Sequence, residues 1–194
     1  KSITLCTLGP LTNVATALER APDIADRIKD IVIMGGSHFE GGNITPVAEF
    51  NFYVDPHAAD IVMKSDTPKV IHSLDVTHKA LVTQRRLDHF AALGNAAGTA
   101  IAGMLGHNER FDLKQDPNAG IALHDPCVLA YVVRPDLFSG KFINVTMETQ
   151  SELGMGMSVA DWWGVTDRPA NATFIQTIDH EGFFDLLYTR LATL

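Results

Sequence analysis

The chain has 194 residues, 46% apolar and 20% charged, with a formal net charge of −8. This composition lies far from that of disordered chains, and its length suits a single core. Its fifteen Lys and Arg are scattered, so no electrostatic footprint for a nucleic-acid backbone is present. The longest apolar run, residues 127–133, is far short of the ~20 residues a bilayer span needs, and the N-terminus lacks a signal-peptide layout. Cys6 and Cys127, the only cysteines, lie in apolar contexts and read as buried thiols of a reducing compartment. A cytoplasmic protein with no nucleic-acid or membrane partner is expected.

In chain order, residues 3–8 form a short apolar run ending at Gly9-Pro10. Leu11, Val14, Ala15 and Leu18 then recur at helical spacing. Residues 30–34 and 69–74 form two more apolar runs, of the kind that suits strands buried on both faces. A Gly-rich loop and a helix over residues 55–63 lie between them, with Pro56 at a permitted first-turn position. The order predicts an α/β fold: an open, mostly parallel, Rossmann-like sheet with helices on both faces, in one domain over 1–194. Two helices are expected at 83–93 and 96–105, then a polar loop at 106–120 of the length that serves as a lid or binding loop. Asp125-Pro126 opens another helix and 142–148 alternates like a strand. Residues 155–162 and 172–178 resemble a hairpin, and a helix from about Glu181 closes the chain.

Ligands of open parallel sheets collect beyond the carboxyl ends of the strands, which singles out 9–13 (GPLTN), 34–51, 74–77 (LDVT) and 124–126 (HDP). In the second of these, Asn43, Glu49 and Asn51 cluster in a Gly-rich loop. A carboxylate that accepts two hydroxyl hydrogens, beside amides that both donate and accept, can fix a sugar diol; the same side chains can also just satisfy their own turns. Asp125 reads either as a helix cap or as a ligand, and His124 as a surface, packed or reacting histidine. Thr12 and Asn13 look like helix-start residues. Trp162-Trp163 is either a stacking platform or a core-and-rim pair. The motifs of dinucleotide, P-loop, zinc-protease and serine-hydrolase sites do not occur.

Together, GPLTNVA at 9–15, IVIMGG at 31–36, GN-x-T-P-x-AEFN at 42–51, DP-x-AA at 55–59 and HDP at 124–126 closely resemble the inosine/uridine-preferring nucleoside hydrolase family. The resemblance implies calcium-dependent hydrolysis of the N-glycosidic bond of ribonucleosides. It implies that Asn43, Glu49 and Asn51 bind ribose hydroxyls and that Met34 and Phe50 line the sugar pocket. Asp125 and the backbone carbonyl of Thr12 would be calcium ligands, and His124 would face the departing base as its proton donor. Homo-oligomers, dimers or tetramers, are implied as well. His107, Asn108, Arg110 and Phe111 are candidates for base contacts.

The family's aspartate-rich D-x-D-x-G-x-D-D segment, which carries most of the calcium carboxylates, does not occur in 1–194, and the chain opens on what would be a middle strand. The sequence therefore predicts weak or absent calcium binding and an inactive chain. A non-catalytic ribose- or nucleoside-binding module is the alternative.

Overall fold

The computed structural model describes residues 1–106 and 120–194. Four parallel strands, β1 (Ile3–Thr7), β2 (Ile28–Met34), β3 (Lys69–His72) and β9 (Ala172–Ile178), are joined by β6 (Phe138–Ile143), which runs antiparallel to β9; the sheet order is β1-β2-β3-β9-β6. Alternation along β2 divides the interior. Ile31 and Ile33 face one apolar cluster, Val32 and Met34 the other. The first cluster takes α1 (Thr12–Arg20) through Leu11, Ala15 and Leu18, and α3 (Pro56–Lys64) through Ala58, Ala59, Val62 and Met63. The second takes α5 (Gln84–Ala91), α6 (Ala96–Leu105), α7 (Asp125–Val133) and α8 (His180–Leu191) through Phe90, Leu105, Val128, Phe183 and Phe184. The expected α/β layering with helices on both faces is what the chain forms. Among the described residues, no helix is long and apolar enough to cross a membrane.

Several expectations need correction. Residues 142–148 are not one strand: β6 ends at Ile143, and after Asn144 the chain enters β7 (Val145–Met147), which pairs antiparallel with β8 (Ser158–Ala160) in a separate two-stranded sheet. The late hairpin is likewise absent, because β9 leaves β8 to become the inner strand between β3 and β6. Asn171 makes this parting possible. Its amide nitrogen donates to the carbonyls of Met63 and Val145 while its oxygen takes the Val145 N–H, and those backbone groups need a partner where the strands separate. Cys127 is fully buried, but Cys6 is only partly so. Trp162 lies in the first cluster and Trp163 is exposed, the core-and-rim arrangement. Most of the loop at 106–120, with His107, Asn108, Arg110 and Phe111, lies outside the described residues.

Candidate active site

The carboxyl ends of β2 and β3 stay paired past the sheet, since Gly35 N–H donates to His72 O at 3.2 Å and Leu74 N–H to Gly36 O at 3.0 Å. Residues 35–40 and 73–78 therefore emerge side by side. The tie between them is Asp75, buried in α4 (Leu74–Thr77), whose carboxylate accepts the backbone N–H groups of His38, Phe39 and Glu40 at 2.8, 2.6 and 3.0 Å and the Ser73 hydroxyl at 2.8 Å. Reading the sequence flagged 74–77 as a place but assigned no residue in it. A carboxylate one residue into the turn after a strand was the only available sign.

The loop then folds back on itself and Glu49 starts α2 (Phe50–Val54), a short helix within what reads in sequence as loop. Glu49 is 2% exposed, and its two carboxylate oxygens accept N–H groups from Gly36 at 2.9 Å, Asn51 at 2.8 Å and Phe52 at 3.3 Å. Asn43 accepts the Phe50 N–H at 2.9 Å through Oδ1, and the Asn51 amide nitrogen donates to Met34 O at 3.1 Å and contacts Met34 Sδ at 3.3 Å. The turn-satisfying reading of these side chains is thus physically present. It is not the whole arrangement, because among the described residues the Asn43 amide nitrogen and Asn51 Oδ1 make no hydrogen bond. Each side chain is fixed at one polar atom and has another that is not bonded among the described residues. Met34 is almost fully buried beneath Asn51, whereas Phe50 is half exposed at the surface.

Gly36 allows this closeness. Its φ of +77° suits glycine alone, and an added Cβ would stand 2.8 Å from Ser158 Oγ and 2.9 Å from the Phe52 ring. Ser158 also clasps residue 37, accepting its N–H at 2.9 Å and donating to its carbonyl at 2.6 Å. Gly36→Ala is expected to lower unfolding free energy by roughly 2–4 kcal/mol in urea titration, from backbone strain plus overpacking. Gly9→Ala, where the added methyl meets nothing within 4 Å, should stay within about 0.5 kcal/mol of wild type.

His124 arrives from the far side of the chain. Two-residue strands β4 (Leu81–Val82) and β5 (Ile121–Ala122) pair antiparallel, and Leu123 N–H donates to Ala80 O at 3.0 Å, which sets the His124 ring with Nδ1 2.8 Å from Thr77 Oγ1. Its ring lies 5.6 Å from that of His78, whose Nδ1 is 3.4 Å from Glu40 Oε2. Burial pushes the Glu49 carboxyl up, while the N–H groups of Asn51, Gly36 and Phe52 and the charge of His124 pull it down. His124 also pulls down Asp125, whose carboxyl desolvation holds above its ordinary range.

Asp125-Pro126 and Asp55-Pro56 are the same dipeptide with different outcomes. Asp55 caps α3 by accepting Ala58 N–H at 3.0 Å and also takes the Thr12 hydroxyl at 2.5 Å, a bond that holds its carboxyl below the usual range. Asp125 is already the first helical residue, no side chain caps α7, and its carboxylate accepts no hydrogen bond among the described residues. The capping reading of Asp125 fails, and an uncommitted carboxylate remains at the site. Thr12 opens α1, with its carbonyl in the first helical turn and its hydroxyl given to Asp55. Calcium takes six to eight oxygens. No group of three or more His, Cys, Asp or Glu side chains converges among the described residues, so Asp125 and Thr12 do not by themselves form a calcium shell.

The model of the inosine-uridine preferring nucleoside hydrolase family matches residues 1–185. The chain belongs to this family. It is 48% identical over 193 residues to an uncharacterized protein of Schizosaccharomyces pombe, covering 100% of this chain and 62% of that one. It is 43% identical over 195 residues to the pyrimidine-specific ribonucleoside hydrolase RihA of Shewanella sp. strain ANA-3, covering 99% and 60%. Among solved structures, the purine-preferring ribonucleoside hydrolase from Gardnerella vaginalis superposes with a TM-score of 0.87 at 31% identity, over 98% of this chain and 60% of that one. A plant nucleoside hydrolase superposes at 0.89 and 27%, over 99% and 62%. This chain thus spans about three-fifths of the length of these relatives. The expected inactivity draws no support from these matches.

Proposed function

We propose that this nucleoside hydrolase chain carries the ribose wall and the proton donor of a ribonucleoside N-ribohydrolase. The observation that supports this most is the buried Glu49 carboxylate fixed by three backbone N–H groups, beside Asn43 and Asn51, each held at one polar atom. Asn43, Glu49 and Asn51 would hold the ribose hydroxyls, with Phe50 and Met34 shaping the pocket. When the bond between C1′ and the base nitrogen breaks, its electron pair leaves with the base and the sugar becomes oxocarbenium-like. A fixed carboxylate close by favours that positive charge, and a proton from His124 neutralises the departing base. Water then bonds to C1′ and releases a proton to solvent, which balances the one His124 gave to the base. Asp125 offers the carboxylate for a metal ion such as calcium in the whole protein, and no step here depends on it.

The relatives at 42–43% identity are named as pyrimidine-specific, which supports uridine and cytidine as the preferred substrates. Steady-state ribose release over uridine, cytidine, inosine and adenosine is the test. Faster turnover of the two pyrimidine nucleosides, abolished by His124→Ala, is expected. Saturable ribose binding without turnover of any nucleoside would favour the non-catalytic binding module.

A further inference from the structure

Among the described residues, two contacts that place His124 come from the segment that follows β3. Its backbone is positioned by the bond from Leu123 N–H to Ala80 O, and its ring by Thr77 Oγ1 at 2.8 Å from Nδ1. Thr77 is 0% exposed, and its own N–H donates to Ser73 O at 3.1 Å, so the hydroxyl sits on a fixed base at the end of α4. The same short helix holds the 38–40 loop through Asp75, and His78 directly after it packs edge-on to the His124 ring.

We propose that Thr77 is the positioning residue for His124, holding Nδ1 so that Nε2 carries the proton to the leaving base. This rests on the hydrolase reading above. The chemistry of the partner is what recommends it. A hydroxyl is both donor and acceptor, so from its fixed place 2.8 Å from Nδ1 it can pair with that nitrogen in either ring tautomer, whereas a carbonyl or carboxylate only accepts. With the imidazolium, Oγ1 accepts from Nδ1–H. When Nε2 gives its proton to the base nitrogen, which takes the electron pair of the broken C1′–N bond, the ring is left neutral with Nδ1–H still accepted by Oγ1. A proton taken up from water at Nε2 restores the imidazolium, and when Nδ1 then loses its proton to water the hydroxyl rotates to donate to Nδ1, which holds the Nε2–H tautomer. Thr77 thus remains a partner of Nδ1 throughout the proton cycle.

The test is imidazole 15N–1H correlation spectroscopy of His124 in the 194-residue chain, with the signals assigned by their loss in His124→Gln. Thr77→Val is close to isosteric and removes only the hydroxyl, and Thr77→Ser restores it. Wild type and Thr77→Ser are expected to share one well-separated pair of ring nitrogen shifts. In Thr77→Val the two shifts should move toward each other as the tautomers mix, with circular dichroism unchanged. In ribose release, Thr77→Val should lower kcat about tenfold at unchanged KM, the loss of one hydrogen bond of roughly 1.4 kcal/mol, and Thr77→Ser should recover it. Nitrogen shifts in Thr77→Val that match wild type would overturn the proposal, as would failure of Thr77→Ser to restore them. If wild type releases no ribose, the hydrolase reading fails and the nitrogen spectra alone decide the role of Thr77.

Discussion

Glu49→Ala is expected to destabilise the protein by roughly 3–5 kcal/mol and to abolish ribose binding at the same time. The carboxylate is the shared acceptor for Gly36, Asn51 and Phe52 N–H groups in a buried setting, so its removal leaves three donors without a partner, each worth about 1–3 kcal/mol, and takes away the cap of α2. Relaxation and water entry keep the sum below the maximum. Glu49→Gln separates the two effects. It keeps one accepting oxygen but turns an NH2 group toward backbone donors, so about half the destabilisation should remain while the charge that favours an oxocarbenium-like sugar is gone. Urea titration of the three proteins checks this. A Glu49→Ala unfolding free energy within about 1 kcal/mol of wild type would mean that the carboxylate is not the hub of these backbone bonds.

A fall in stability between pH 6.5 and about 3, removed by His72→Leu, is the second large effect expected. His72 on β3 is fully buried, stacked edge-on to Tyr131 at 5.0 Å and Phe138 at 5.2 Å, and neither ring nitrogen has a hydrogen-bond partner among the described residues. Burial holds its pKa down to about 3 from the ordinary 6.5. The folded protein therefore keeps His72 neutral where the unfolded chain binds a proton. Stability from this group is fully present above pH 6.5 and declines as pH falls toward 3, by at most about 1.4 kcal/mol per pH unit and on the order of 4 kcal/mol in all. His72→Leu removes that proton uptake along with two unpartnered nitrogens. Its unfolding free energy should exceed that of wild type by about 1–3 kcal/mol at pH 7 and by more at pH 4. Parallel pH profiles for the two proteins would contradict this assignment.

The first two strands were legible because each carries an apolar run that stops at Gly, at Gly9-Pro10 and Gly35-Gly36, and β3 because of its apolar run over 69–74; β9, with Thr and Gln among its apolar residues, was placed in a hairpin instead. What escaped has particular causes. β4 and β5 are two residues each, too short for any periodicity, yet they deliver His124 to Thr77. The split between β6 and β7 follows from the long-range bonds of Asn171, which a local alternation pattern cannot register. Asp55 and Asp125 show the limit most clearly, since one dipeptide caps a helix and the other does not. In the site, Asn43, Glu49 and Asn51 were readable as a diol-sized set, and their second, structural role was readable beside it. Asp75 and Thr77 were not, because positioning residues act through bonds to residues 35 to 47 places away.

The wall between β2 and α2 is expected to hold ribose through its hydroxyls. Isothermal titration of ribose and of 2-deoxyribose into the chain, with and without excess calcium, tests this most directly. Saturable heat for ribose, weakened at least tenfold for 2-deoxyribose and lost in Asn51→Ala, is the predicted result. Equal heats for the two sugars, or ribose binding that survives Asn51→Ala unchanged, would contradict it.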